Sequence, residues 1–285
     1  MKKILSIIFI TFLLTSVNKS FAQCSDAGVC QLGFEHEESS SKKVNAGISY
    51  LFGSSGKDDN VKFHSVKLDL SYQPFNNTRL SAIFPYNMQS GHLGDVNGIG
   101  DLILSFTQNI YNYKKQNISF TFGGKFATGK DNQDNLPQLY QSGLGSNDLL
   151  LGLNYTNKNV MIGFGYQVAG GRNKNSITRL ERGDDFIARG SYTLEFDEFN
   201  LSPQLLIIKR IGKSTVLDLT SPDEKFIELK DSDQLQINFL VNADYSLNKN
   251  MKLTLEVAFP FLKREVNVDG LTRAFTAGIG IKHLF

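Results

Sequence analysis

The 285-residue sequence predicts an all-β fold. The architecture expected is a transmembrane, antiparallel, up-and-down β-barrel of about twelve strands. Three observations predict it. After residue 43, apolar residues recur at every second position and no helical period takes over. The segments between these runs are alternately short and long. The last stretch, Arg273 to Phe285, has Phe275, Ala277, Ile279, Ile281, His283 and Phe285 on one face, and Ala274, Thr276, Gly278, Gly280 and Lys282 on the other. One apolar and one wet face over roughly ten residues is what a tilted strand needs to cross a bilayer.

The N-terminus reads Met-Lys-Lys, then an apolar run from Ile4 to Leu14, then Ser20-Phe21-Ala22. This is the pattern of a secretory signal peptide, and the run is short for a membrane-spanning helix. Cleavage is expected after Ala22. Removing residues 1–22 removes Lys2, Lys3 and Lys19 but no acid. The 30 basic side chains become 27 against 28 acids, so the net charge moves from +2 to −1. With no basic run either, nothing points to nucleic acid. The two cysteines, Cys24 and Cys30, are close in sequence and exported, which favours a disulfide closing a small loop. Residues 23–43, polar with Glu35, Glu37, Glu38 and a serine run, form an N-terminal periplasmic segment or a small plug.

The barrel is expected over residues 44–285. Its first two strands carry Val44, Ala46, Ile48, Tyr50 and Phe52, then His64, Val66, Leu68, Leu70 and Tyr72, against polar alternates. Leu80, Ala82, Phe84 and Tyr86 follow less cleanly, then Leu102, Leu104, Phe106 and Ile110, and then Ile118, Phe120, Phe122 and Phe126. The next pair carries Leu149, Leu151, Leu153 and Tyr155, then Val160, Ile162, Phe164, Tyr166 and Val168. Phe186, Ala188, Tyr192 and Leu194 come next. Leu201 to Lys209 is apolar on both faces and fits least well. Leu235 to Tyr245, Met251 to Phe259 and the final strand complete the set. An even strand number is what bacterial barrels require.

Short polar turns are expected at Asn76-Asn77, Asn112 to Gln116, Asn157 to Asn159, Asp197 to Asn200 and Ser246 to Asn250. Longer loops are expected at Gly53 to Lys62, Asn87 to Gly100, Gly129 to Asn147, Ala169 to Asp184, Ile211 to Asp233 and Leu262 to Leu271. Read as periplasmic turns and extracellular loops, they place both termini in the periplasm. Aromatic residues gather at both strand ends, as expected where a barrel meets headgroups: Tyr72, Tyr111, Tyr155, Phe196, Tyr245 and Phe285 at one, Phe52, Tyr86, Phe126, Tyr166, Phe186, Phe261 and Phe275 at the other.

By parity the inward set includes Lys67, Asp69, Arg79, Lys125, Arg189, Asp244, Lys252, Glu256 and Lys282. Lys67, Asp69, Lys125, Arg189 and Glu256 fall high enough on their strands to form a mixed-charge constriction, which would set selectivity. The same residues could instead be salt-bridge partners filling a narrow lumen. Asp95, Asp101, Asp148, Asp184 and Asp185 form an acidic group at the extracellular rim. Oxygen ligands could hold a cation, but Gly-Asp pairs are more often turn chemistry, and no metal or other cofactor is expected. His64 and His283 face outward by parity, and no nucleophile–base pattern stands beside any histidine, so an enzyme is not expected.

The final strand ending on Phe285 resembles the closing strand of bacterial outer-membrane barrels, where a terminal Phe is part of the signal read by the assembly machinery. Together with Gly98-Ile-Gly-Asp-Leu102 and its echo Gly143-Leu-Gly-Ser-Asn-Asp-Leu149, the mature chain resembles outer-membrane transporters of the phenol-degradation meta-pathway type. It is more distantly similar to fatty-acid and aromatic-hydrocarbon channels, though it lacks their Asn-Pro-Ala motif and long N-terminal hatch. The resemblance implies a monomeric barrel in Gram-negative outer-membrane lipid that passes small solutes, hydrophobic ones among them. The alternative is a structural or interaction barrel without transport, and a barrel enzyme comes third.

Overall fold

The computed structural model describes residues 43–56 and 60–285. The expected signal peptide, nearly all of the segment 23–43 and the Cys24–Cys30 pair lie outside the described residues. Along the chain run β1 (Val44–Ser54), β2 (Lys62–Phe75), β3 (Thr78–Gly91), β4 (Gly94–Ile99), β5 (Leu102–Tyr113) and β6 (Gln116–Phe126). They are followed by β7 (Asp148–Asn157), β8 (Val160–Val168), β9 (Asp185–Tyr192), β10 (Leu194–Glu195), β11 (Phe199–Arg210), β12 (Thr215–Leu217) and β13 (Phe226–Glu228). Last come β14 (Leu235–Asn248), β15 (Met251–Leu262) and β16 (Phe275–Leu284).

These strands close into a twelve-stranded antiparallel barrel. β9 and β10 are one wall strand interrupted at Thr193, and β4 and β5 are another, interrupted at Gly100-Asp101. β12 and β13 form a separate small hairpin. The seam is β1 against β16, in register from Asn45↔Leu284 to Ser54↔Phe275. The N–H of Phe285 donates to the Val44 carbonyl at 2.8 Å. Closure gives every wall strand two partners, and in hydrocarbon an open edge would leave backbone groups unpaired.

Burial is inverted relative to a water-soluble protein. Ile48, Leu68, Phe84, Phe122, Leu153, Phe164 and Ile281 are exposed, whereas Thr121, Gln236, Asn238 and Thr276 are fully buried. A continuous apolar belt on the outside and polar groups within are the pattern of a barrel whose outer solvent is lipid. No helix among the described residues is long and apolar enough to cross a membrane.

The strand parity expected from the sequence is the observed one, with two local differences. A register shift between Asn109 and Tyr111 lets both Ile110 and Tyr111 stand exposed on the outer face. The segment Asn87 to Gly100, expected as a loop, is instead a hairpin: β3 runs on to Gly91 and pairs with β4 from Tyr86↔Ile99 to Gly91↔Gly94. Its Gly, Asn and Asp content reads as turn, but its backbone continues an existing ladder. Inward-facing Val96 then buries itself with Val61, Phe63, Leu136 and Tyr140.

Candidate functional site: a lumen divided by a charged septum

One end of the barrel carries the two- and three-residue turns and the start of β1; the other carries the long connections. Toward the short-turn end the lumen is hollow. The inward positions of β1 and β16 include Gly47, Ser49, Gly278 and Gly280, which put almost no volume into the bore. A cavity of about 340 Å³ results, and Asp69, Arg79, Asp244, Lys252, Glu256 and Lys282 stand around it. At its inner end is Lys67, which also lines a second, smaller chamber of about 40 Å³ toward the long-loop end.

The long-loop half is filled. Ile103, Leu150, Ile187, Leu206, Ile208, Leu240 and Ala258 point inward from the wall and pack with Leu144 and Leu271 from two loops. This accounts for β11 being apolar on both faces: one face meets lipid, the other meets folded loop. The connection from β6 to β7 enters the bore and is pinned there. Asp101 accepts the N–H of Gly129 at 3.1 Å with one carboxylate oxygen and that of Leu144 at 2.7 Å with the other. Asn87 donates to the Ser142 carbonyl at 2.8 Å. A Cβ on Gly100 would lie 2.5 Å from the Asn87 side chain, and one on Gly143 would lie 2.6 Å from Asp101 and 2.7 Å from Gly129. The Gly98–Leu102 motif and its echo at 143–149 are therefore the two halves of one joint. Buried Asn173 and Asn175 tie the β8–β9 connection to the same loop through Gln138, Leu144, Asp131 and Leu136.

Charges hold the septum to the wall. Lys125, Asp148, Gln167, Asp185 and Arg210 sit on successive strands β6, β7, β8, β9 and β11, with Lys125 opposite Asp148 and Asp185 opposite both Gln167 and Arg210. Asp148 pairs with Lys125 at 2.7 Å and with Arg182 at 3.3 Å. Asp185 faces Arg210 at 3.0 Å, and Arg182 and Arg264 at 3.8 Å. Arg210 also grips Asp269 at 2.8 Å. Each of these side chains is 4 % exposed or less, so each charge depends on its partners for what water no longer supplies. Arg182, Arg264 and Asp269 come from loops, which the network thereby fastens to the barrel. Burial pushes Asp269 up, but Arg210 and Arg264 pull harder and hold its carboxyl well below the usual carboxylate range. Asp101 goes the other way: burial raises it, and Lys125 with the two N–H donors does not offset that. Burial and the neighbouring Arg210 lower Arg264, whose Nε and Nη1 make no hydrogen bond among the described residues.

Of the five constriction candidates, Lys67, Arg189 and Glu256 converge, with Glu256 in electrostatic reach of both cations. Asp69, two positions along β2 from Lys67, lines the vestibule with Lys67 and Glu256, and Lys125 is turned into the pair with Asp148 while lining the small chamber. Of the rim acids, Asp101, Asp148 and Asp185 are buried in the septum. Asp95 is exposed on β4. Asp184 accepts the Tyr166 hydroxyl and the Ala169 N–H, each at 2.9 Å. Among the described residues no group of three His, Cys, Asp or Glu could hold a metal ion. His64 packs at a tilt against Phe52 and bonds the Tyr50 hydroxyl, and His283 packs at a tilt against Phe285.

Sequence reasoning missed Arg182, Arg210, Arg264, Asp269 and Arg273. Parity could have found Arg210, two positions beyond inward Ile208; the other four lie in loops, where no period marks an inward side chain.

No family model matches the sequence, and no curated protein matches it. Among solved structures, the barrel superposes on the COG4313 outer membrane channel from Pseudomonas putida F1 with a TM-score of 0.67 at 17% identity, covering 92% of this chain and 100% of that one. It also superposes on the NanC porin with a TM-score of 0.51 at 10% identity, covering 85% and 100%. At such identities the likeness is one of fold, and the fold is that of outer-membrane β-barrel channels.

Proposed function

We propose that the chain is a passive outer-membrane channel for small solutes, with the short turns and both chain termini on the periplasmic side. The observation that carries this reading is the hollow, polar vestibule of about 340 Å³, which leads to Lys67 and continues as a chamber beyond it. A barrel needed only as a lipid-embedded scaffold has no use for such a bore, since small barrels are filled by their own side chains. The vestibule lining favours water-borne solutes. Apolar permeants, which the family resemblance implies, would meet Asp69, Asp244, Lys252 and Glu256 there beside Leu51 and Leu284. The Phe285 end of β16, exposed beside the start of β1, is available to barrel-assembly machinery.

Purified protein in planar lipid bilayers is expected to give discrete conductance steps. Gly143→Val, which cannot seat its side chain against Asp101 and Gly129, is expected to enlarge those steps by displacing the β6–β7 loop. A folded, lipid-inserted barrel that stays silent in both forms overturns the channel reading.

A further inference from the structure

The ionic network of the septum leaves two of its guanidinium groups short of acceptors. Arg210 bonds both oxygens of Asp185, with Nε to one and Nη2 to the other, each at 3.0 Å. That two-pronged pairing occupies the carboxylate. Arg182 lies 3.8 Å from one Asp185 oxygen and Arg264 3.8 Å from the other, beyond hydrogen-bond reach. The other acids are also engaged. Asp269 accepts from Arg210 and from the Leu271 N–H. Asp148 accepts from Gln167, Ser146 and the Gly170 N–H, and pairs with Lys125 and with Nη2 of Arg182. Among the described residues, Nε and Nη1 of both Arg182 and Arg264 make no hydrogen bond, although each side chain is only 2 % exposed. Buried donors without acceptors are costly, and charged ones most of all.

Charge points the same way as the hydrogen bonds. The groups acting on Arg264 are Arg210 and Arg182, of its own sign, and Asp269 and Asp185, of the opposite one. Three guanidinium groups therefore share two carboxylates. Asp148 adds a third acid but brings Lys125 with it. Water can accept from the orphaned nitrogens but carries no charge. A monovalent anion supplies acceptor and charge together, whereas a divalent one would overshoot. With Arg182, Arg264, Asp185 and Asp148 each almost wholly buried, the ion has to be small. We propose that Arg182 and Arg264 jointly hold one small monovalent anion, of the size and charge of chloride. The two arginines come from different connections, β8–β9 and β15–β16, and the ion would clip both to β9 of the wall beside Asp185. This inference does not rest on the channel reading.

The test is urea unfolding of the whole protein in lipid vesicles, with sodium chloride exchanged for sodium gluconate at constant ionic strength. Gluconate is too bulky for the site, and fixed ionic strength removes general screening from the comparison. Stability is expected to rise saturably with chloride. A bound ion at ten times its dissociation constant multiplies the folding equilibrium constant about elevenfold. Arg264→Gln is expected to lose the chloride dependence, while Lys213→Gln, at an exposed pair with Glu228, retains it. Crystals soaked in bromide are expected to show an anomalous peak within hydrogen-bond reach of both Arg182 and Arg264. Equal midpoints in chloride and gluconate overturn the proposal and assign these donors to water. A chloride dependence that Arg264→Gln leaves unchanged overturns it too, as does a bromide map with no peak at the pair. The wild-type titration and the bromide map decide even if a variant fails to assemble. A barrel silent in bilayers overturns the channel reading and leaves this site standing.

Discussion

Below Lys67 the charged groups of the lumen stand around open space; above it, groups of the same kinds are locked together with hardly any exposure. The wall supplying both regions is the same set of twelve strands with the same inward parity. What differs is what the loops do. Turns at the short end are too brief to reach inward, and Asp69, Asp244, Lys252 and Lys282 stay partly exposed around the cavity. Loops at the other end are long enough to fold back and fill the bore with ion pairs and an apolar cluster. One barrel therefore carries a solvated region where a charge change should act on permeation, and a desolvated region where it should act on stability.

The sharpest way to break this contrast is to remove an acid from each half. Asp185→Ala strands Arg210, Arg182 and Arg264 without their shared carboxylate and is expected to cost about 3–5 kcal/mol. Asp244→Ala, in the vestibule, is expected to cost less than ~1 kcal/mol. Urea unfolding midpoints in lipid vesicles would measure both, and equal losses would show that the vestibule is not solvated as described. The inside–outside contrast comes next. Leu153→Arg on the outer face, near the middle of β7, is expected to cost about 2–4 kcal/mol by the same measurement. The adjacent inward change Gly152→Ser, whose Cβ would meet Thr121 at an ordinary 3.5 Å, should change little.

The smallest effect separates two acids within the septum. The pKa of Asp101 is raised, so its contribution favours the fold below the unfolded value near 3.8 and is lost as pH rises through the folded value. Asp269 is held low, so its contribution is present above 3.8 and lost only as pH falls through its depressed folded value. Lowering the pH from 7 toward 4 should therefore widen the stability advantage of wild type over Asp101→Asn, by less than ~1 kcal/mol, while leaving its advantage over Asp269→Asn nearly flat. Parallel pH profiles for the two variants would break the distinction.

The wall was legible in the sequence because each strand repeats the same two-sided environment, and repetition is what period-two reading detects. Leu149, Leu151 and Leu153 announce lipid; Thr121, Asn154 and Glu256 announce the bore. Leu201 to Lys209 read poorly for a physical reason, since Leu206 and Ile208 face an apolar septum in place of water. Lys67, Arg189 and Glu256 could be placed in the bore by parity, which gave six other inward charges as well. Asp101 and Asp148 could be seen as matched aspartates of the Gly98–Leu102 motif and its echo but not as loop anchors, because what they hold, Gly129, Leu144 and Gly170, is brought to them only by the fold. Arg264 and Asp269 left no trace, since an irregular loop has no parity and their ion-pair partners, Asp185 and Arg210 respectively, lie far earlier in the chain.

The seam between the first and last strands has a consequence for biogenesis. Every other wall strand touches a neighbour close by in the chain, apart from those bridged by a long loop, but β1 must wait for β16. Until that final ribbon is delivered, the nascent sheet has two raw borders that hydrocarbon cannot satisfy. Closing the wall therefore requires β16, the last strand, to reach β1.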